Sequence, residues 1–417
     1  MRLFKFGGAS VQNATAIKNV ARVLQYEGTR NTLVVISAMG KMTNAFEKIV
    51  DAYVHDQTHL KATIDFVRDF HFTIIEDLFE EQNDITTNIN FLLGELALFF
   101  SQNTSKNFNY IYDQVVGYGE LISTTIVSGY LNSIGVKNTW LDVRECILTD
   151  ANYRDAKVNW DKTKHAISKN VDTTQLNITQ GFLGRHNNET TTLGREGSDY
   201  TAGIFAYCLD ASSVTIWKDV EGVLNADPRV FQETELLREI SYTEAIEMAF
   251  YGASVIHPKT IQPLEQKQIP LYVRSFENLL SSGTKVSNTT GITPLVPCYI
   301  VKQHQILISI SAKDFSFMVE DNIGEVFKKL HQYNLKVNLI QNSAISFSVC
   351  VDDRYQNFAA FYKDLKDFYT IKHYPNATLF TIRHFNNHAI DTIKLRGNPI
   401  IRQINTETAQ LVIQENV

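Results

Sequence analysis

Several classes of protein are argued against by what this chain has little of. Its four cysteines, Cys146, Cys208, Cys298 and Cys350, are scattered without paired ligand spacing, so buried thiols in a reducing cytoplasm are expected rather than disulfides or zinc. No apolar run is long enough to span a bilayer. The most apolar stretch, residues 91–100, is too short and carries Glu95. Lys5 interrupts the N-terminal apolar run and no small-residue cleavage site follows, so no secretory leader is expected. Lys and Arg total 39 against 45 Asp and Glu, and this net charge of -6 gives no reason to expect nucleic acid or a membrane surface as partner. A length of 417 residues, 44% apolar and 20% charged, suits a soluble globular protein of two or three domains.

What is present is glycine beside positive charge. The run Lys5-Phe6-Gly7-Gly8-Ala9-Ser10 ends an apolar strand and is expected to open an amphipathic helix. Glycines without Cβ atoms allow close approach, backbone N–H groups face an anion, and Lys5 adds a point charge. Phosphate is the ligand that suits this turn. A second block, residues 192–203, gathers glycines with Arg195, Ser198 and Asp199 before another apolar helix. Ser198 and Asp199 could simply cap that helix, whereas the Arg195 guanidinium could grip a carboxylate bidentately. A third block runs from a buried strand at 213–217 through the polar loop 218–229 to Gly252-Ala253-Ser254-Val255-Ile256-His257-Pro258. Loops after parallel strands are where α/β sheets bind ligands.

Strand patterns at 3–6, 32–37, 139–142, 176–180 and 213–217 alternate with helical ones at 14–25, 43–55, 119–134 and 200–209. That order predicts an α/β domain, a mostly parallel sheet covered on both faces. Residues 58–112 carry no strand pattern and read as a helical excursion. His55 just before it and its His59, Asp69 and His71 are read as a solvated helix face with one or two core histidines rather than a metal site, and no metal ligands are assigned.

In order and at these spacings, KFGGAS (5–10), GYGEL (117–121), TLGREGSDYTA (192–202), KDVEGVLNADPR (218–229), GASVIHP (252–258) and VRS (273–275) resemble the aspartate kinases of the amino acid kinase family. The resemblance covers about the first two thirds of the chain. It implies the three-layer amino acid kinase fold over residues 1–286 and tandem ACT regulatory domains over 298–417. The implied reaction moves the γ-phosphoryl group of ATP to the side-chain carboxylate of L-aspartate, with Mg²⁺ held mainly by phosphate oxygens and water. This would be the first step of lysine, threonine and methionine biosynthesis. By resemblance, Lys5 contacts the transferring phosphoryl group and Gly7 and Gly8 offer it N–H groups. Ser37 and Thr43 contact substrate, Glu120 pairs with the amino group of aspartate, and Arg195 clamps its α-carboxylate. Ser198 and Asp199 complete the pocket, Asp199 also organising phosphoryl transfer, while Asp219 and Arg229 hold nucleotide.

The chain departs from the family pattern around the nucleotide. Leu224 stands where a tyrosine packs on it, and Ser254 where a lysine contacts it, while Lys218 replaces a usual threonine. A relocated charge at Lys218 would preserve phosphate neutralisation. Two other readings are a sibling kinase with another acceptor and an amino-acid-sensing protein that has lost turnover. Retention of Lys5, Arg195 and Asp199 argues against the second.

Beyond a Pro/Thr/Asn-rich linker (287–297), strands at 306–311, 337–341, 345–351 and 371–373 with helices at 323–333 and 358–368 spell one βαββαβ unit. Residues 374–417 are too few for a second. Residues 298–301 are the available donor strand, and interleaving of this kind is what the resemblance implies. An end-product amino acid, lysine or threonine first, is expected to bind near Asn338, Gln341, Asn342 and Ser343. A homodimer or higher homo-oligomer is expected through the ACT region.

Overall fold

A computed structural model describes residues 1–81, 83–253, 256–314 and 316–414. They divide into two compact units: Met1–Val223 with Leu236–Ile246 and Val255–Ile292, and Thr293–Val417 with Leu224–Glu235 and Glu247–Ser254.

The first unit starts with β1 (Arg2–Phe6), α1 (Ala14–Glu27), β2 (Thr32–Ile36) and α2 (Met42–His55). The helical excursion follows as α3 (Leu60–Leu78), α4 (Asn83–Gln102), α5 (Phe108–Val116) and α6 (Tyr118–Ser133). The chain returns through β3 (Thr139–Leu141), α7 (Trp160–Asn170), β4 (Leu176–Gln180), the hairpin β5 (Leu183–His186) and β6 (Glu189–Thr192), α8 (Gly197–Cys208) and β7 (Ser213–Lys218). Beside the edge strand Ile292–Thr293, the eight further strands of the sheet lie in the order Glu239–Ser241, Thr284–Ser287, Leu271–Ser275, β7, β1, β2, β4, β3. The pairings among these eight are parallel except that of Leu271–Ser275 with Thr284–Ser287. Parallel strands joined by crossover helices must be covered on both faces, and the sequence obliges with near-continuous apolar strands such as Thr-Leu-Val-Val-Ile in β2, buried throughout.

Side chains alternate across β1. Phe4 and Phe6 join a core with Val34, Ile36, Trp217 and the buried faces of the helices α1 to α6. Lys5 therefore points to the other face, where α8 packs on β1, β2 and β7. This face relationship places a cation under the start of α8.

The helix expected at 14–25 begins at Ala14: after the KFGGAS turn Gly8–Val11 forms a 3₁₀ turn, and α1 follows Asn13, whose side chain accepts the Ala16 N–H at 2.9 Å. Asn13 is the better N-cap, and it draws the helix start away from the glycines. In the excursion His71 is buried, its Nδ1 at 2.7 Å from the Val67 carbonyl, and burial pushes its pKa down to about 4. Among the described residues no cluster could hold a metal ion, and no helix is long and apolar enough to cross a membrane.

The second unit is built on a six-stranded antiparallel sheet in the order Lys336–Asn342, Ser346–Asp352, Cys298–Ala312, Tyr369–Arg383, Thr408–Gln414, Pro399–Ile404. The donor segment at 298–301 and the strand at 306–311 are one strand, and the strand expected at 371–373 runs on as far as Arg383. Each continues past an irregularity, marked by His304 at φ 56° and Asn376 at φ 55°, that bends the strand without breaking it. The sheet thus carries two cores. One contains Ile308, Val326, Leu330 and Phe361; the other contains Phe380, Ile382, Ile390 and Leu411, joined by Ala226 and Phe231.

Candidate active site

The ends of β1, β2, β4 and β7 open on a cavity of about 530 Å³ in the first unit. Lys5 reaches it from β1, Ser37 from just past β2, Phe182 from just past β4 and Lys218 from the end of β7. Thr43 comes from the first turn of α2 and Glu120 from the first turn of α6. Gly197, Ser198 and Asp199 form the first turn of α8, after Arg195 and Glu196. The N-terminal end of a helix, with its unpaired N–H groups, therefore faces a cavity that holds two lysines, a setting that favours anions.

Lys5 Nζ is 2.7 Å from Asp199 Oδ1, with only 12% and 7% of the two side chains exposed. The phosphate turn is bound to its neighbour: Gly40 N donates to Gly8 O at 2.9 Å. A Cβ on Gly8 would lie 2.6 Å from Gly40 O and 2.9 Å from Ala38 O, so only glycine allows this approach. A Cβ on Gly7 would stand 3.3 Å from Lys5 Nζ, which places that glycine beside the ammonium.

Glu120 is buried. Its Oε1 accepts the Ala38 N–H at 3.3 Å, while Oε2 has no hydrogen-bond partner among the described residues. Burial pushes the carboxyl pKa up to about 8, against smaller lowering effects from the Ala38 amide and the Lys5 charge. Arg195 is exposed at the cavity and forms no ion pair among the described residues. Glu196, at φ 54°, is the N-cap residue of α8, with no side-chain cap bond, so Ser198 and Asp199 are free of capping and sit within the helix's first turn.

The cavity thus brings together Lys5, Ser37, Thr43, Glu120, Arg195, Ser198, Asp199 and Lys218 from the sequence reading. Of the expected residues in the same unit, Gly7, Gly8 and Asp219 are not among its lining. Asp219 is exposed one residue beyond β7. Arg229 belongs to the second unit, where Asp227 engages it at 2.7 Å with 86% of the arginine side chain exposed. Ser254 lies outside the described residues. Tyr112, Arg154, Phe182 and Glu196 line the cavity and were not expected. Phe182 had a readable signal, its place just after a strand. Tyr112 and Arg154 had none, lying in a helix and an irregular turn.

In the second unit, the Asn338 amide is engaged within the protein: its Oδ1 accepts from Lys302 Nζ at 2.8 Å and its Nδ2 donates to Gln305 Oε1 at 2.7 Å. Burial, with repulsion from Lys336, pushes the Lys302 pKa down to about 8. Gln341, Asn342 and Ser343 are exposed, and the Ser343 hydroxyl pairs with that of Ser346 at 2.7 Å.

A mainly parallel sheet whose strand ends converge on lysines, a glycine turn, a buried acid and an arginine with no ion pair among the described residues defines a phosphotransferase-type site for an anionic amino acid. The Amino acid kinase family model matches residues 1–275. Lysine-sensitive aspartokinase 3 of Escherichia coli is 33% identical over 353 residues, 84% of this chain and 77% of that protein. Bifunctional aspartokinase/homoserine dehydrogenase 2 of Arabidopsis thaliana is 30% identical over 83% of this chain, which spans only 39% of that longer protein. Among solved structures, E. coli aspartokinase III in complex with lysine and aspartate (T-state) matches with a TM-score of 0.82 at 27% identity, over 99% of this chain and 96% of the other. The same enzyme in complex with aspartate and ADP (R-state) matches at 0.80, with the same identity and coverage. The chain belongs to the amino acid kinase family, on its aspartokinase branch.

Proposed function

We infer that the chain is an aspartate kinase, transferring the γ-phosphoryl group of ATP to the side-chain carboxylate of L-aspartate to give 4-phospho-L-aspartate and ADP. This is the entry step to lysine, threonine and methionine. One observation carries the reading: a single cavity holds a buried acid with an unpartnered oxygen, Glu120, and a guanidinium with no ion pair among the described residues, Arg195. These complement the ammonium and α-carboxylate of an amino acid. Lys5 beside them supplies charge for the phosphoryl group.

A carboxylate is ionised at neutral pH, so the nucleophile needs no general base. Catalysis reduces to alignment and neutralisation of charge on the transferring group. Asp199 holds the Lys5 ammonium in place, Gly8 lets the turn close on the Ala38–Gly40 segment with Gly7 beside the ammonium, and Ser37, Thr43 and Ser198 offer hydroxyls. Lys218 supplies a second positive charge from the nucleotide side. The cavity's acids fit Mg²⁺ held through phosphate oxygens and water rather than by a protein cage, with Asp199, which sits against Lys5, as the carboxylate that would face it. Such an ion would neutralise phosphate charge.

Residues 1–286 are the catalytic domain in this reading and 298–417 the regulatory one, taking an end-product amino acid, lysine first, near Asn338 to Ser343 and serving homo-oligomer contacts. The relative named for its lysine sensitivity supports that choice. Coupled measurement of ADP release against a panel of amino acids tests the activity, with Arg195→Ala as the variant. Aspartate alone should support turnover, and the variant should lose at least about a hundredfold in kcat/KM for aspartate with ATP affinity nearly intact. Normal aspartate turnover by the variant overturns the assignment of Arg195.

A further inference from the structure

Arg154 stands in the left-handed region at φ 71°, a conformation that suits glycine or asparagine better than arginine. Two restraints keep it there. Asp113 on α5, fully buried, receives the Arg154 N–H at 3.2 and 3.0 Å on its two oxygens, and the same oxygens accept the Thr192 hydroxyl and N–H, each at 2.8 Å. One carboxylate thus ties the Arg154 turn to the end of β6, three residues before Arg195. The guanidinium, in turn, lies 4.3 Å from the centroid of the Tyr112 ring, whose hydroxyl donates to Glu47 Oε1 at 2.9 Å.

This turn also abuts the Arg195 segment. A Cβ on Gly194 would lie 2.7 Å from Asp155 Oδ1 and 3.2 Å from Arg154 O. Arg154 and Arg195 therefore reach the cavity from adjoining turns, and Arg154, too, forms no ion pair among the described residues. A monocarboxylic amino acid gives work to one guanidinium. A dicarboxylic one gives work to two.

We propose that Arg154 is a second substrate-binding guanidinium that, with Arg195, selects an amino acid bearing two carboxylates, and that Asp113 is the positioning residue that holds it at the cavity. The inference rests on the aspartate kinase reading and deepens it. Arg154 engages one oxygen of the side-chain carboxylate while the other attacks phosphorus. The new O–P bond forms as the bond from phosphorus to the β,γ-bridging oxygen breaks, its electron pair leaves on ADP, and no proton moves. A guanidinium here offsets repulsion between the carboxylate and the γ-phosphate oxygens.

Steady-state kinetics and thermal melts of the full chain test this with Arg154→Gly, which keeps the N–H bonded to Asp113 and removes the backbone strain. The expected result is an unchanged or higher Tm, a KM for aspartate raised at least about tenfold, and a KM for ATP within about twofold of wild type. Arg154→Lys should fall between the two, having charge but no planar fork. Asp113→Asn should raise the aspartate KM as well, and should add little when combined with Arg154→Gly. An aspartate KM in Arg154→Gly equal to that of an active wild type overturns the inference alone. Absence of aspartate-dependent ADP release from the wild type overturns the kinase reading, and this inference with it.

Discussion

The ammonium of Lys5, at the end of β1, and the carboxylate of Asp199, in the first turn of α8, meet at 2.7 Å in near-complete shelter from solvent. Strand and helix are far apart in the chain, and the pair joins them at the point where phosphate should arrive. Breaking a sheltered pair by removing one partner leaves an uncompensated charge, at a cost of about 3–5 kcal/mol. Lys5→Met and Asp199→Asn should each lower Tm and abolish turnover. The double variant should recover part of the stability and none of the activity, as thermal melts and an ADP-release assay would record. A double variant no more stable than the weaker single one would mean that the two charges are not coupled.

Aspartate binding should depend on pH through Glu120. With its pKa pushed up to about 8, the empty site holds a neutral acid at pH 7, and a substrate ammonium favours the ionised form. Binding should release a proton below pH 8, so affinity should rise with pH, by about tenfold per unit well below that value, and level off above it. Titration calorimetry in two buffers of different ionisation enthalpy measures the released proton. Glu120→Gln should bind weakly and lose the slope. The same shift carries a stability cost: an acid whose folded pKa is raised takes up protons on folding, so its contribution is fully present below the unfolded value of 4.5 and is lost as pH rises toward 8. Proton uptake on binding would contradict the assignment.

Gly8 leaves no room for a side chain. In Gly8→Ala the new methyl would press on the Gly40 and Ala38 carbonyls, at 2.6 and 2.9 Å, and displace the segment that also gives the Ala38 N–H to Glu120. Overpacking of this kind costs about 1–3 kcal/mol. KM should rise for both ATP and aspartate, because one loop serves both, and Tm should fall. A variant impaired only toward ATP would show that the loop does not transmit the displacement.

Much of this molecule could be read in advance because the signals were local. Apolar runs placed β1, β2, β4 and β7 within a residue of their observed ends, and the motifs at strand ends and helix starts supplied Lys5, Ser37, Arg195, Ser198, Asp199 and Lys218 to one cavity. Where capping competed with turn chemistry, prediction was weaker. Glu196 rather than Ser198 stands at the head of α8, which starts three residues before the run expected at 200–209. In the second unit, irregular residues looked like strand ends, yet Cys298–Ala312 and Tyr369–Arg383 run through them, because pairing on both sides holds a bent strand together.

By itself, the sequence determined the alternation of strands and helices, the glycine turns at strand ends and the family they mark, since each depends on neighbours along the chain. Only the tertiary structure decided that Lys5 answers Asp199, that Glu120 is buried with one oxygen unpartnered, and that Arg154 is held in a left-handed turn over Tyr112 by a carboxylate on another element. Charge pairing, desolvation and backbone strain depend on which segments the fold makes neighbours, and no local pattern records that.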